Sequence, residues 1–462
     1  MTLVILPVLL PWVLAAVLAL LDGRRSWVGW LAVAGLGATL VSAVWLVLVV
    51  LREGTAEMVA GGWPEGVGIT LRADALGVTF AALSVGVILV SLVYEVLDGV
   101  RSRTFPALVC FMAAGLSGLF LTGDIFNFYV FFEISMAAAF ILTSYREKDY
   151  QVRAAFIFAI INLLGSVVFL IAVAALYHVT GSLDMETVAS RIEAVEPNSV
   201  ITIAAAVLVA FSLKLGLFPF HFWLPAVYIG SHAPVAAILS GALANIGSYG
   251  LLRFGAGILP EELEFGTPVV LILGTASIIY GAHQAVARRA TTEVLAYSAI
   301  GQAGYILIAI GIGGAVGYAA AVIYALVNAL NKTLLFLAAG LRGPLVGTAF
   351  AIGAFSVVGV PPAVGFLGKL ALFRASIAVD SVVVGVVLVT LVFLGGALSF
   401  VYAFQIYQRV FWAGEPEGKL SGWSTRALVF ALAVLVVALG VWPEPLIVVG
   451  EAAAAVLPGA PR

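Results

Sequence analysis

Four ionisable residues stand inside long apolar runs: Glu133, Lys214, Lys332 and Lys369. A charged side chain at mid-membrane costs at least ~2.5–3.5 kcal/mol on insertion scales, so such groups mark function rather than packing. One acid and three bases spread over much of the chain suit a proton relay. A buried lysine beside a carboxylate can change its charge when the two separate. Glu133 and Lys214 therefore read as a separable pair, with Lys332 and Lys369 as later stations. The blander reading is ion pairs that merely join helices. It is weaker, because desolvation of a buried pair can exceed its Coulomb gain.

Uncharged polar residues recur in the same runs. Asn162 and Ser166 are spaced i,i+4, as are Asn328 and Lys332; Asn245 and Ser248 are spaced i,i+3, as are Tyr402 and Gln405. Each pair shares one helix face. Tyr297, Ser298 and Gln302 stand in another run. Singly, each residue reads as an interhelical hydrogen bond; together they favour a wet central axis. His221 and His232 are candidate proton stops, although a lone histidine at a helix end is more often simply hydrogen-bonded.

Other chemistry is excluded by residue type. Cys110 is the single cysteine, which rules out an internal disulfide or a thiolate-bound cluster. The four histidines show no zinc-type spacing. No metal or cofactor is expected. The net charge of −2 offers no surface for nucleic acid.

The elements that position these residues are membrane spans. The 462 residues are 63% apolar and 10% charged, against ~45–50% and ~25% in soluble domains. Apolar runs long enough to cross a bilayer fill the chain. Fourteen can be laid out, from 3–21 to 426–448; the fourth is 105–122, the fifth 124–145, the seventh 200–229, the eighth 232–256, the eleventh 315–340, the twelfth 347–375 and the thirteenth 382–411. The first is not a cleaved signal peptide, because Arg24 and Arg25 follow it. Of the 22 Lys and Arg, thirteen fall in odd-numbered connections, six (Arg462 among them) in even ones or at the C-terminus, and three within spans. The positive-inside rule then places both termini outside the cytoplasm. With no long connection, residues 1–462 form one polytopic membrane domain.

Two spans are interrupted by proline: the seventh by Pro219 and Pro225, the twelfth by Pro361 and Pro362. They lie five spans apart, and each has a lysine nearby. An odd offset inverts one unit relative to the other, so 105–256 (spans four to eight) and 267–411 (spans nine to thirteen) are expected to be inverted five-helix repeats. The expected fold is an all-α membrane protein with about fourteen helices, broken at spans seven and twelve.

The motifs resemble a known family. The stretch from Thr122-Gly123-Asp124-Ile125-Phe126-Asn127 to Phe132-Glu133 looks like the fifth-span signature of Mrp-type sodium/proton antiporters. Lys214-Leu215-Gly216-Leu217-Phe218-Pro219-Phe220-His221 resembles their seventh span, Asn331-Lys332-Thr333-Leu334-Leu335 the eleventh, and Gly365-Phe366-Leu367-Gly368-Lys369 the twelfth. The likeness covers essentially the whole chain, and the chain is identified as a member of the D-subunit family of these multisubunit antiporters. The superfamily also includes antiporter-like subunits of complex I and of membrane-bound hydrogenases. The resemblance implies an essential Glu133–Lys214 pair, a path onward through Lys332 and Lys369, and partner subunits in a bacterial cell membrane that exchange protons for a monovalent cation. One position departs from the pattern: relatives usually carry a lysine in the eighth span where this chain has Asn245. Asparagine can orient water but cannot hold a proton, so His232 or a water chain would have to bridge there.

Three readings compete. The first is a proton-translocating antiporter subunit. The second is the same relay in a redox-driven complex, which partner identity would reveal. The third, a transferase acting on lipid-linked substrates, is disfavoured because Glu261, Glu262 and Glu264 show no DxD-like spacing.

Overall fold

A computed structural model describes residues 3–62, 68–413 and 418–458; Arg462 of the charge count lies outside the described residues. In lipid every backbone N–H must find its partner within its own segment, so apolar runs of this length become helices. In chain order these are α1 (Leu6–Ala19), α2 (Ser26–Glu53), α3 (Ala75–Asp98), α4 (Phe105–Phe120), α5 (Ile125–Thr143), α6 (Asp149–Thr180), α7 (Met185–Ile192), α8 (Pro197–Leu215), α9 (Trp223–Gly230) and α10 (Ala233–Ile238). There follow α11 (Asn245–Gly250), α12 (Pro260–Phe265), α13 (Thr267–Ala287), α14 (Thr291–Ile312), α15 (Gly314–Ala339), α16 (Pro344–Val358), α17 (Gly365–Ile377), α18 (Val382–Tyr407), α19 (Trp423–Val441) and α20 (Glu444–Ala455). Among the described residues, eleven helical stretches are long and apolar enough to cross a membrane, and α1, α4 and α16 are shorter apolar helices. The chain is a multi-pass helical membrane protein.

The structure departs from the sequence reading in four places. The second connection holds a short antiparallel pair, β1 (Ala56–Val59) on β2 (Thr70–Ala73), within a fold expected to be wholly helical. The last span ends at Val441, not 448. Pro443 holds Trp442 at φ −121°, ψ 79°, outside the helical region, and α20 starts afresh beyond it. The eighth span is not a plain helix: π-helical turns at Leu239–Leu243 and Leu251–Ala256 flank α11, which begins at Asn245. Such turns recur at functional sites. Finally, Pro225 does not break the seventh span. It sits in the first turn of α9, where a missing N–H leaves nothing unsatisfied.

The breaks themselves begin at glycine. α8 stops at Gly216 (φ +72°) and α16 at Gly359 (φ +91°), left-handed positions where a side chain would be strained. Pro219 lies in the first gap, and Pro361 and Pro362 lie in the second.

Polar contacts between connections sort by parity. Gly23 N donates to Arg103 O at 2.9 Å, Arg146 pairs with Asp98 at 3.9 Å, and Lys419 N donates to Gly340 O at 3.1 Å. All of these lie in odd connections. Arg72 pairs with Glu57 at 3.2 Å and also with Glu186, Arg253 pairs with Asp74 at 2.7 Å, and Ile125 N donates to Leu183 O at 2.8 Å. All of these lie at even ones.

Candidate functional site

Lys214 lies in the last turn of α8 and is buried. Its Nζ donates to Asn162 O on α6 at 3.1 Å and to Ser166 Oγ at 3.5 Å, and stands 4.0 Å from the centre of the Phe132 ring. Glu133 follows Phe132 on α5, half-buried, with Oε1 unpartnered. Among the described residues no ion pair joins Glu133 to Lys214; a serine hydroxyl and a carbonyl accept from the amine. Trp223 of α9 reaches back over the break, its Nε1 donating to Leu213 O at 2.9 Å, and stacks on Phe158 at 5.0 Å. A cavity of about 10 Å³ lined by Asn162, Lys214, Trp223 and Tyr228 is large enough for about one water.

Asn245 is buried, and its Nδ2 donates to Gly241 O at 2.9 Å in the π turn before it. Two residues on, α11 packs hard against α8: a Cβ on Gly247 would lie 2.8 Å from Leu215 N. The helix that Asn245 opens thus abuts, at Gly247, the residue after Lys214.

Lys332 on α15 is fully buried. Its Nζ donates to Ser298 Oγ at 2.9 Å and to Leu295 O at 3.3 Å, both on α14. Ser298 Oγ lies 2.8 Å from the Tyr402 hydroxyl of α18, which donates to Ser399 Oγ at 3.1 Å, and Ser399 donates to Gly395 O at 2.8 Å. A lysine ammonium only donates. The donor order therefore runs one way, from Lys332 through Ser298, Tyr402 and Ser399 to a carbonyl. Chains of this kind polarise one another in a low-dielectric interior.

Lys369, in the second turn of α17, is buried with no hydrogen-bond partner among the described residues. Its Nζ stands over the Tyr305 ring, 3.4 Å from the centre, and 5.8 Å from that of Tyr324. Tyr324 donates to Gln302 Oε1. Gln302, Tyr305, Ser298, Ser399 and Tyr402 share a second cavity of about 10 Å³. One cluster of hydroxyls and one amide therefore separates Lys332 from Lys369, with room for about one water.

The secondary candidates fall in three places. His221 is buried in the seventh-span break, ringed by Phe218 and Tyr280 (ring centres 5.5 and 4.3 Å away), with Nδ1 unpartnered. His232 caps α10 at the far end of α9, with Nδ1 3.3 Å from Glu95 Oε2. Asn328 is half-buried one turn before Lys332, its Oδ1 unpartnered. Tyr402 is in the hydroxyl chain, whereas Gln405 offers its backbone carbonyl to Arg409 at 3.3 Å. Sequence reasoning passed over Tyr305, Tyr324, Ser399 and Glu95. The tyrosines and the serine carry no cost signal in an apolar run. Glu95 does, but it lies three residues from the helix end, where carboxylates are common.

A family model described as NADH:quinone oxidoreductase/Mrp antiporter, TM matches residues 122–395. The D subunit of the Na(+)/H(+) antiporter of Alkalihalophilus pseudofirmus is 30% identical, over 96% of this chain and 94% of its own length. A chain in the structure of the Mrp complex from Dietzia sp. DQ12-45-1b superposes with a TM-score of 0.89 at 26% identity, covering 99% of this chain and 98% of that one. A chain of respiratory complex I from Thermus thermophilus does so with a TM-score of 0.85 at 25% identity, covering 99% and 100%. The chain belongs to the NADH:quinone oxidoreductase/Mrp antiporter transmembrane family.

Proposed function

We propose that this chain is the proton-translocating subunit of a multisubunit cation/proton antiporter, a transporter component rather than a catalytic enzyme. The observation that carries the reading is the burial of three lysine amines, each beside hydroxyls, carbonyls or aromatic faces, in a chain that matches one component of a sodium/proton antiporter along nearly its whole length. Protons pass along Lys214, Asn245 with water, Lys332 and Lys369. Closing and opening of the Glu133–Lys214 pair controls the first step. In the open arrangement Lys214 is held by Asn162 and Ser166, and closing the pair returns it to the carboxylate. The segments 105–256 and 267–411 act as two inverted repeats in a fourteen-span fold, with the odd connections in the cytoplasm and the termini outside. The parity of the connection contacts and the glycine-started breaks in the seventh and twelfth spans support that arrangement. The other subunits of the assembly supply the cation path.

The test is exchange by the assembled complex in membrane vesicles. Glu133→Ala and Lys214→Ala are expected to abolish cation-driven proton flux while the protein remains inserted; near-normal flux in both overturns the relay. A redox-driven assembly is the second reading, favoured by the likeness to complex I. Mild-detergent pull-down from the native membrane separates the two. Small hydrophobic partners support the antiporter, and co-purifying flavin or iron–sulfur subunits support the pump.

A further inference from the structure

A cluster of polar side chains outside the relay lies at the odd-connection end of α3. Glu95 is fully buried there. Its Oε1 accepts a 2.6 Å bond from the Tyr145 hydroxyl, while Oε2 has no hydrogen-bond donor and lies 3.3 Å from His232 Nδ1. Arg146 Nη2 stands 3.8 Å from Glu95 and 3.9 Å from Asp98, one turn along α3. Asp98 also pairs with Lys419 and accepts from Ser421 Oγ at 3.3 Å. The Tyr94 hydroxyl, buried and unpartnered, lies beside the start of α10 and the end of α15.

Two features decide what this cluster can do. Glu95, Asp98 and His232 lie close enough together to hold a metal ion, but two carboxylates face two cations, Arg146 and Lys419. No negative charge is left for an ion, whereas exchange of one proton between neighbouring groups needs none. Side-chain exposure also falls inward, from 36% at Lys419 through 13% at His232 to 0% at Glu95. This is a graded descent from water to the interior. From there α3 carries buried, unpartnered hydroxyls at Ser91 and Ser84. At the level of Val87 it meets the π turn and α15 around Gly241, where an added Cβ would lie 3.0 Å from Val87 Cγ1 and from Ala329 O and would press on Thr333, the residue after Lys332.

We infer that Glu95 and His232 form the proton-loading port of the relay on the odd-connection side. Water delivers a proton to His232, His232 passes it to Glu95 Oε2, and Glu95 releases it by way of the Ser91 hydroxyl to the junction beside Lys332; in reverse the port discharges. This rests on the proton-relay reading above.

The test uses the assembled complex in everted vesicles. Cation-driven proton flux is measured against the pH of the odd-connection side for Glu95→Gln, His232→Gln and, as a relay control, Lys214→Ala. Glu95→Gln and His232→Gln are expected to lower flux by about a hundredfold and to displace the pH profile. If both keep the parent's rate and profile while Lys214→Ala abolishes flux, the port is wrong and the relay stands. Full flux in Lys214→Ala removes the relay and the port with it. Should the Glu95 variant fail to assemble, Tyr145→Phe removes only the hydroxyl at Glu95 and keeps its ring against Phe105 (centres 4.4 Å apart). A displaced profile is expected, and an unmoved one overturns the port.

Discussion

Lys332 Nζ and Ser298 Oγ are 2.9 Å apart, and that bond starts the one-way hydroxyl chain through Tyr402 to Ser399. The lysine thus has a ready hydroxyl neighbour rather than a carboxylate.

If the chain conducts, removing one hydroxyl cuts it without disturbing shape. Tyr402→Phe keeps the buried ring and loses only the oxygen. Flux in vesicles holding the assembled complex is expected to fall at least about a hundredfold with normal assembly, and Ser298→Ala should do the same. Unchanged flux in both would remove this chain from the path.

Lys369 separates stability from function. Its amine is buried without a hydrogen-bond partner, above the Tyr305 ring. Taking an ammonium out of water is costly unless hydrogen bonds or an opposite charge repay it, and an apolar chain of like volume carries no such cost. Lys369→Met is therefore expected to hold or raise the melting temperature in detergent while abolishing flux. A lowered melting temperature would make the lysine structural.

Asp74 and Arg253 make the opposite case. Asp74 is fully buried, caps α3 through a 2.9 Å bond from Gly77 N and pairs with Arg253 at 2.7 Å. Arg253→Ala leaves that carboxylate with Arg72, 3.5 Å away, as its remaining cation and should cost up to about 3–5 kcal/mol. Adding Asp74→Asn should restore part of the loss. Thermal unfolding of the single and double variants checks this, and an additive double variant would refute the coupling.

The seam between α11 and α8 is set by Gly247. A Cβ there would press 2.7 Å from Leu215 Cβ and 2.8 Å from its backbone nitrogen. Gly247→Ala is expected to cost about 1–3 kcal/mol and to lower flux, because the displaced turn holds Lys214. Melting and flux measured together test it; a stable, fully active variant would mean that the seam is compliant.

How much of this was legible beforehand follows from the residues. Lys214, Lys332 and Lys369 could be found from the chain alone, because an ionisable group in an apolar run is costly wherever the helix turns. The two interruptions were legible because proline removes a donor whatever surrounds it, although Pro225, in a first turn, shows that the rule depends on position. Asn245 was visible as a departure, but the π turns on either side of it were not.

The sequence by itself determined the membrane class, the lysines within apolar runs and the interrupted spans, since each follows from composition or local covalent chemistry. Tertiary structure decided which groups meet. Tyr145 reaches Glu95 across 50 residues, and Ser298 reaches Tyr402 across 104. Helices apolar on every side have no amphipathic face to fix their rotation. Which serine or tyrosine turns inward, whether Glu133 touches Lys214, and that Glu95 is buried at all are settled only when the helices pack.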